Sequence, residues 1–223
     1  MSIEGPIRTV QDGLVLHLDA GNRKSYPGSG AIWADLCGNT NANLVASPTF
    51  ATSFCGEFIL NGSTQHATVS SVYDFATSNK MTAIVWAKSA LANWNNYGYI
   101  ISRREQFIIH PDSGSRAVAY YFHTTTVGWQ AVSYTPSIIT TYAQYVMSYN
   151  AGVVVVYHNG VRVADGSFGA TLSSNTGKLE IGKDEDIPRY LNGNVAAVQL
   201  YNRALSPTEV LQNYDAAKSR FGL

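Results

Sequence analysis

The chain has little charge. Only 13% of its 223 residues are Asp, Glu, Lys or Arg, and 15 basic side chains balance 15 acidic ones. A balanced surface has no field that would draw in DNA, RNA or an acidic membrane, so no nucleic-acid partner is expected. Cysteine is nearly absent. Cys37 and Cys55 cannot build a disulfide-dense scaffold. A single bridge between them is open, although two buried, reduced thiols are the simpler expectation. Long apolar runs are also missing. The longest strongly apolar stretch, Val153 to Tyr157, is strand-sized, far short of the roughly 20 residues a spanning helix needs. Met1 to Val10 contains Glu4, Pro6 and Arg8 and lacks the apolar centre of a secretory signal. The expectation is a soluble chain without an export signal or membrane insertion. No internal repeat, low-complexity tract or linker divides it.

What is present is the material of strands and turns. Leu14, Leu16 and Leu18 alternate with Val15, His17 and Asp19, the period of a half-buried strand. Met81 to Lys88 is apolar on both alternating faces, as in a strand covered on both sides. Further short strands are read at Tyr97–Ser102, Gln106–His110, Arg116–His123, Val127–Tyr134, Tyr142–Tyr149, Lys178–Gly182 and Asn194–Asn202. Asn61-Gly62 and Asn159-Gly160 each separate two strand-like runs. Both read as hairpin turns, because Asn and Gly accept positive φ at low cost. Near the end, Ser206-Pro207-Thr208-Glu209 is a capping box. Val210, Leu211, Tyr214 and Ala217 follow at helical spacing as one apolar stripe. Together these predict an all-β sandwich of two antiparallel sheets with one short C-terminal helix over 206–219.

Four segments carry a family resemblance: Asp12 to Asn39 (DGLVLHLDAGNRKSYPGSGAIWADLCGN), Phe58 to Val69 (FILNGSTQHATV), Tyr157 to Gly166 (YHNGVRVADG) and Leu191 to Leu223. In these the chain resembles the laminin-G-like, concanavalin-A-like lectin jelly rolls found in phage structural proteins. The resemblance implies one jelly-roll domain over 1–223, with an N-terminal arm at 1–11. It also implies a binding function. Relatives carry adjacent acids in the closing strand that help hold a structural calcium, whereas Ala196 and Ala197 stand here. No cofactor is therefore expected, and a structural calcium is doubtful.

Catalysis finds little support. A glycosidase needs paired carboxylates flanking the scissile bond, and no strand supplies them. The close acids Asp184-Glu185-Asp186 read as a solvated turn, with Asp184 and Asp186 weak metal candidates. Arg103, Arg104, Gln106 and His110, or Tyr120 and His123, superficially fit a polysaccharide lyase without matching its motif spacing. The histidines at 17, 66, 110, 123 and 158 are scattered and read as sheet residues.

Aromatics supply the contact candidates. Trp33 and Trp86 sit in strand contexts and are assigned to the core. Trp94-Asn95-Asn96-Tyr97 forms a polar loop, and Trp129 lies between Gly128 and Gln130. These five residues, Trp94, Asn95, Asn96, Tyr97 and Trp129, are the expected partner or ligand contacts, with Trp94 the exposed anchor. The resemblance then implies a non-catalytic virion protein, as a capsid decoration, knob or fibre tip. It would be homo-oligomeric, dock on other virion proteins and bind a host glycan. The alternatives are a cellular lectin or, further off, a lyase or glycosidase.

Overall fold

A computed structural model of the chain describes residues 7–111 and 114–223. The first six residues of the expected N-terminal arm lie outside the described residues. The strands are β1 (Leu14–Asp19), β2 (Ile32–Trp33), β3 (Ala42–Val45), β4 (Thr49–Ala51), β5 (Glu57–Asn61), β6 (His66–Val69), β7 (Lys80–Ser89) and β8 (Ile101–Arg103). They continue as β9 (Phe107–Pro111), β10 (Val118–Thr124), β11 (Gly128–Tyr134), β12 (Ala143–Asn150), β13 (Val153–His158), β14 (Val161–Ser167), β15 (Leu179–Ile181) and β16 (Asn192–Tyr201). One antiparallel sheet runs β14-β13-β12-β7-β16-β5-β4, with β1 also on β16. The other runs β11-β10-β9-β8-β15-β6-β3-β2.

The doubly apolar run becomes β7, the strand between β12 and β16. Met81, Ala83, Val85 and Ala87 face the main core, and Ile84 and Trp86 face a second layer outside the sheet. Helix α1 (Pro207–Asp215) supplies part of that layer, and both arms of the capping box form at Ser206 and Glu209. Val210 packs beside Ile84, Val146 and Tyr201. The apolar stripe is only partly used, since Leu211 is exposed while Asn213 is buried. Asn213 accepts the Val10 N–H at 2.8 Å and donates to the Tyr201 hydroxyl at 3.0 Å. The helix also stops short of residue 219. The chain leaves it at Ala216 and tightens into a 3-10 turn (Lys218–Phe221). That bend seats Phe221 4.4 Å from the Trp86 ring and 4.6 Å from Tyr142.

Of the two Asn-Gly turns, one is a hairpin. Asn159 and Gly160 both have positive φ and join the paired strands β13 and β14. Asn61-Gly62 does not join a pair. β5 belongs to the first sheet, beside β16 and β4, and β6 belongs to the second, beside β3 and β15. The Asn61 side chain explains the turn, because its Oδ1 accepts the N–H groups of Ser63, Thr64 and Gln65 at 3.0–3.1 Å. That network turns the chain out of one sheet and into the other. The cysteines are free, with Cys37 half-buried and Cys55 exposed, so neither is the buried thiol expected. Burial and the neighbouring Asp35 push the Cys37 thiol up to about 12.

His158 ends β13 with its ring 5.2 Å from Tyr145 and 5.3 Å from Tyr134. Burial lowers its pKa to about 4, and burial also lowers that of His17. Between about pH 6.5 and 4 the unfolded chain binds the proton that the folded chain refuses. Stability therefore falls as pH drops through this window and levels off below it. For His158 the loss is on the order of 3 kcal/mol. Carboxylates add to any acid slope, so the measurement is the difference between the parent and His158→Gln in denaturant melts at stepped pH. A parent and variant with parallel slopes would show that the imidazole is not held neutral.

Candidate functional site

Strands β9, β10 and β11 form two consecutive antiparallel pairings. Side chains alternate across a strand. Phe107, Ile109, Tyr120 and Phe122 therefore enter the core, while Ile108, His110, Tyr121, His123 and Trp129 stand on the outer face. There the rings form a run. Tyr99 stacks on His110 at 4.5 Å with 17° between planes, and His110 stacks on Tyr121 at 4.8 Å with 2°. Trp129 closes the run edge-on, 6.3 Å from Tyr121 and 5.0 Å from His123. The His110 ring is oriented by a 2.8 Å hydrogen bond between Nδ1 and the Pro111 carbonyl.

Two loops wall this run into a groove of about 330 Å³. One carries Tyr97, whose φ of 53° turns the chain beside Gly98. Its ring is 42% exposed and lies under the Arg189 guanidinium at 3.9 Å. Arg189 Nη1 also donates to the Tyr99 hydroxyl at 3.4 Å. Burial first, and then the nearby Asp184, raise the Tyr99 pKa, so this phenol stays protonated. Arg104 forms the floor at one end. Its Nη1 lies 2.7 and 3.0 Å from the two Asp184 oxygens, and its Nε lies 3.1 Å from Asp186. Burial works against the Arg104 charge, but the two carboxylates outweigh it and raise its pKa.

This arrangement corrects several expectations. Asp184 is not a solvated turn residue, since it is fully buried beneath Arg104. With that guanidinium between them, Asp184 and Asp186 do not fit a cation. No group of three or more His, Cys, Asp or Glu among the described residues is placed to hold one. Ala196 and Ala197 offer no side-chain oxygen, being packed with Trp86 and Phe221 around a bulge in β16.

Trp94 is also corrected. It is 1% exposed and belongs to the main core, edge-on to Tyr145 at 6.1 Å. A buried indole cannot anchor a partner. Asn95 is engaged internally, donating to the Tyr190 carbonyl at 2.8 Å and accepting the Asn192 N–H at 2.9 Å. Asn96 is exposed. Of the five expected contacts, the structure brings Tyr97 and Trp129 to one groove. Sequence reading missed Tyr121 and Arg189. The outward parity of Tyr121 on β10 could have flagged it, but nothing local marks Arg189. Two other cavities, of about 470 and 510 Å³, are lined without charged side chains and have no stacked aromatic run.

The family model for the concanavalin A-like lectin/glucanase superfamily, in its third laminin G form, matches residues 61–211. The chain belongs to this superfamily. Solved structures agree on the superfamily's fold. The binding domain of botulinum neurotoxin DC, in complex with SialylT, superposes with a TM-score of 0.73 at 13% identity over 92% of this chain and 52% of that one. The botulinum neurotoxin type G receptor-binding domain gives 0.69 at 15% identity, over 91% and 51%. The DC binding domain has a further match in its complex with rat synaptotagmin II, at 0.72 and 14%. At these identities the likeness is one of fold. The chain spans about half the length of these solved structures. No curated protein matches it in sequence. No helix among the described residues is long and apolar enough to cross a membrane.

Proposed function

We propose that this superfamily member is a non-catalytic saccharide-binding module, the whole chain acting as one unit, and that its site is the groove between Tyr97 and Trp129. The observation that carries this reading is the stacked run Tyr99–His110–Tyr121, closed edge-on by Trp129, beside the Tyr97–Arg189 pair. A pyranose has an apolar C–H face and a rim of hydroxyls. It therefore suits a flat aromatic flanked by fixed donors. Trp129 offers that face at 38% exposure, and Arg189 and the Tyr99 hydroxyl offer polar groups. Catalysis has no comparable support, because Asp184 and Asp186 are both held by Arg104 and the described lining of the groove carries no free carboxylate pair for acid and nucleophile.

Trp129→Ala removes the ring without opening the core. Binding to a responsive saccharide on a glycan array, followed by calorimetry, is expected to weaken at least tenfold, about 1.4 kcal/mol. The melting temperature should hold. Unchanged binding would move the site elsewhere.

We also propose a second, compatible reading, which rests on the resemblance of four segments to phage structural modules. The chain would then serve on a virion surface, as a decoration, knob or fibre tip in a symmetric homo-oligomer. Mass spectrometry of purified particles tests it, and absence from them would leave a cellular lectin.

A further inference from the structure

The groove holds two arginines in different states. Arg104 is neutralised by Asp184 and Asp186. Arg189 has no carboxylate within 4.0 Å among the described residues. One face of its guanidinium lies on Tyr97, and one N–H reaches the Tyr99 hydroxyl. Among the described residues the rest of its donor fork has no protein acceptor. The side chain is half-buried, and its backbone is held on both sides. Arg189 N–H bonds to the Ile187 carbonyl at 2.7 Å, and its own carbonyl accepts the Asp184 N–H at 3.0 Å. Pro188, just before it, fixes its own φ. A cation held in this way, stacked and without a counter-charge among the described residues, is preorganised for an anion.

We propose, resting on the saccharide reading of this groove, that Arg189 receives a sugar carboxylate and that the ligand is an acidic saccharide carrying a sialic or uronic acid. The guanidinium fork matches a planar carboxylate with two parallel charge-assisted hydrogen bonds, which a neutral hydroxyl cannot make. Stacking on Tyr97 leaves the edge of the fork free while fixing its plane. Trp129 and Tyr121 then lie where the sugar ring itself would pack. The acids nearby do not cancel this preference, because Arg104 screens Asp184 and Asp186 is largely in solvent.

The test uses paired probes that differ only in charge: 3′-sialyllactose and a glucuronate tetrasaccharide, each against its methyl ester, with lactose and dextran sulfate as controls. Calorimetry on the parent should give at least tenfold tighter binding of the acids than of their esters. Arg189→Gln should bring the acids down to the level of the esters. Arg189→Lys should recover only part of the gap, since an ammonium keeps charge without the fork. An unchanged far-UV spectrum and melt show that the variants are folded. Equal binding of acid and ester by the parent overturns the proposal. So does discrimination that survives in Arg189→Gln, or a stronger response to dextran sulfate than to either acid. Trp129→Ala separates the two levels of inference. If neutral sugars bind and this variant abolishes them, while acids gain nothing, only the acidic preference fails. If no saccharide binds the parent, the groove reading fails with it.

Discussion

Trp94→Ala is expected to lower the stability of the folded chain by about 3–5 kcal/mol, as for other large aromatics removed from a core. The indole is 1% exposed, sits in the main core beside Tyr145, and has its backbone N–H bonded to the Ser115 carbonyl at 3.0 Å. With total stabilities of about 5–15 kcal/mol, such a loss moves a denaturant midpoint by a large fraction of its value. Trp94→Phe should cost less. It keeps a ring and removes an indole N–H that has no hydrogen-bond partner. Trp129→Ala is the contrast, affecting binding and not the midpoint. A Trp94→Ala midpoint within about 1 kcal/mol of the parent would contradict the burial described here.

Glu57→Ala should be comparably severe. Glu57 is 3% exposed on the outer side of the first sheet. Its Oε2 accepts the Tyr142 hydroxyl at 2.7 Å and the Asn194 amide at 2.8 Å, and it lies 3.4 Å from the Lys88 ammonium. Burial by itself would raise the Glu57 pKa, but the hydrogen bonds from Tyr142 and Asn194 and the Lys88 charge outweigh it and hold the pKa low. Lys88 in turn lies over the Phe54 and Tyr142 rings at 4.7 and 4.9 Å. Removing the carboxylate leaves a hydroxyl, an amide and an ammonium without their acceptor. Breaking one partner of a buried pair costs about 3–5 kcal/mol. Urea melts at pH 7 check it, with Glu57→Gln expected to lose less because it can still accept a hydrogen bond. Equal midpoints for Glu57→Ala and the parent would show that water replaces the network.

The strands were legible because alternation is local. The Leu14-Leu16-Leu18 run, the doubly apolar Met81–Lys88 and the Ser206 capping box each carry their own period or spacing. What was not legible depends on residues far apart in the chain. Asn61-Gly62 announces a turn, but the partners of β5 and β6 are set by strands up to 137 positions away. Asp184 reads as a solvated acid until Arg104, 80 residues earlier, is folded onto it. Trp94 sits among asparagines in a real loop. Local polarity says where the backbone lies and not which way an indole turns. The site was half visible for the same reason. Tyr97 and Trp129 carry exposed-aromatic signals of their own, whereas Arg189 gains its meaning only from Tyr97 lying 92 positions before it.

Helix α1 and the residues near Val10 both pack on the outside of the first sheet, while the aromatic groove opens on the outside of the second. The sandwich is therefore a two-sided plate, with the helix layer on one outer face and the aromatic groove on the other. A scaffold that grips the helix side would leave every groove facing outward, unobstructed and at a common orientation. Copies arrayed in this way would meet a glycan-coated surface together, so that weak individual contacts add into a strong multivalent one.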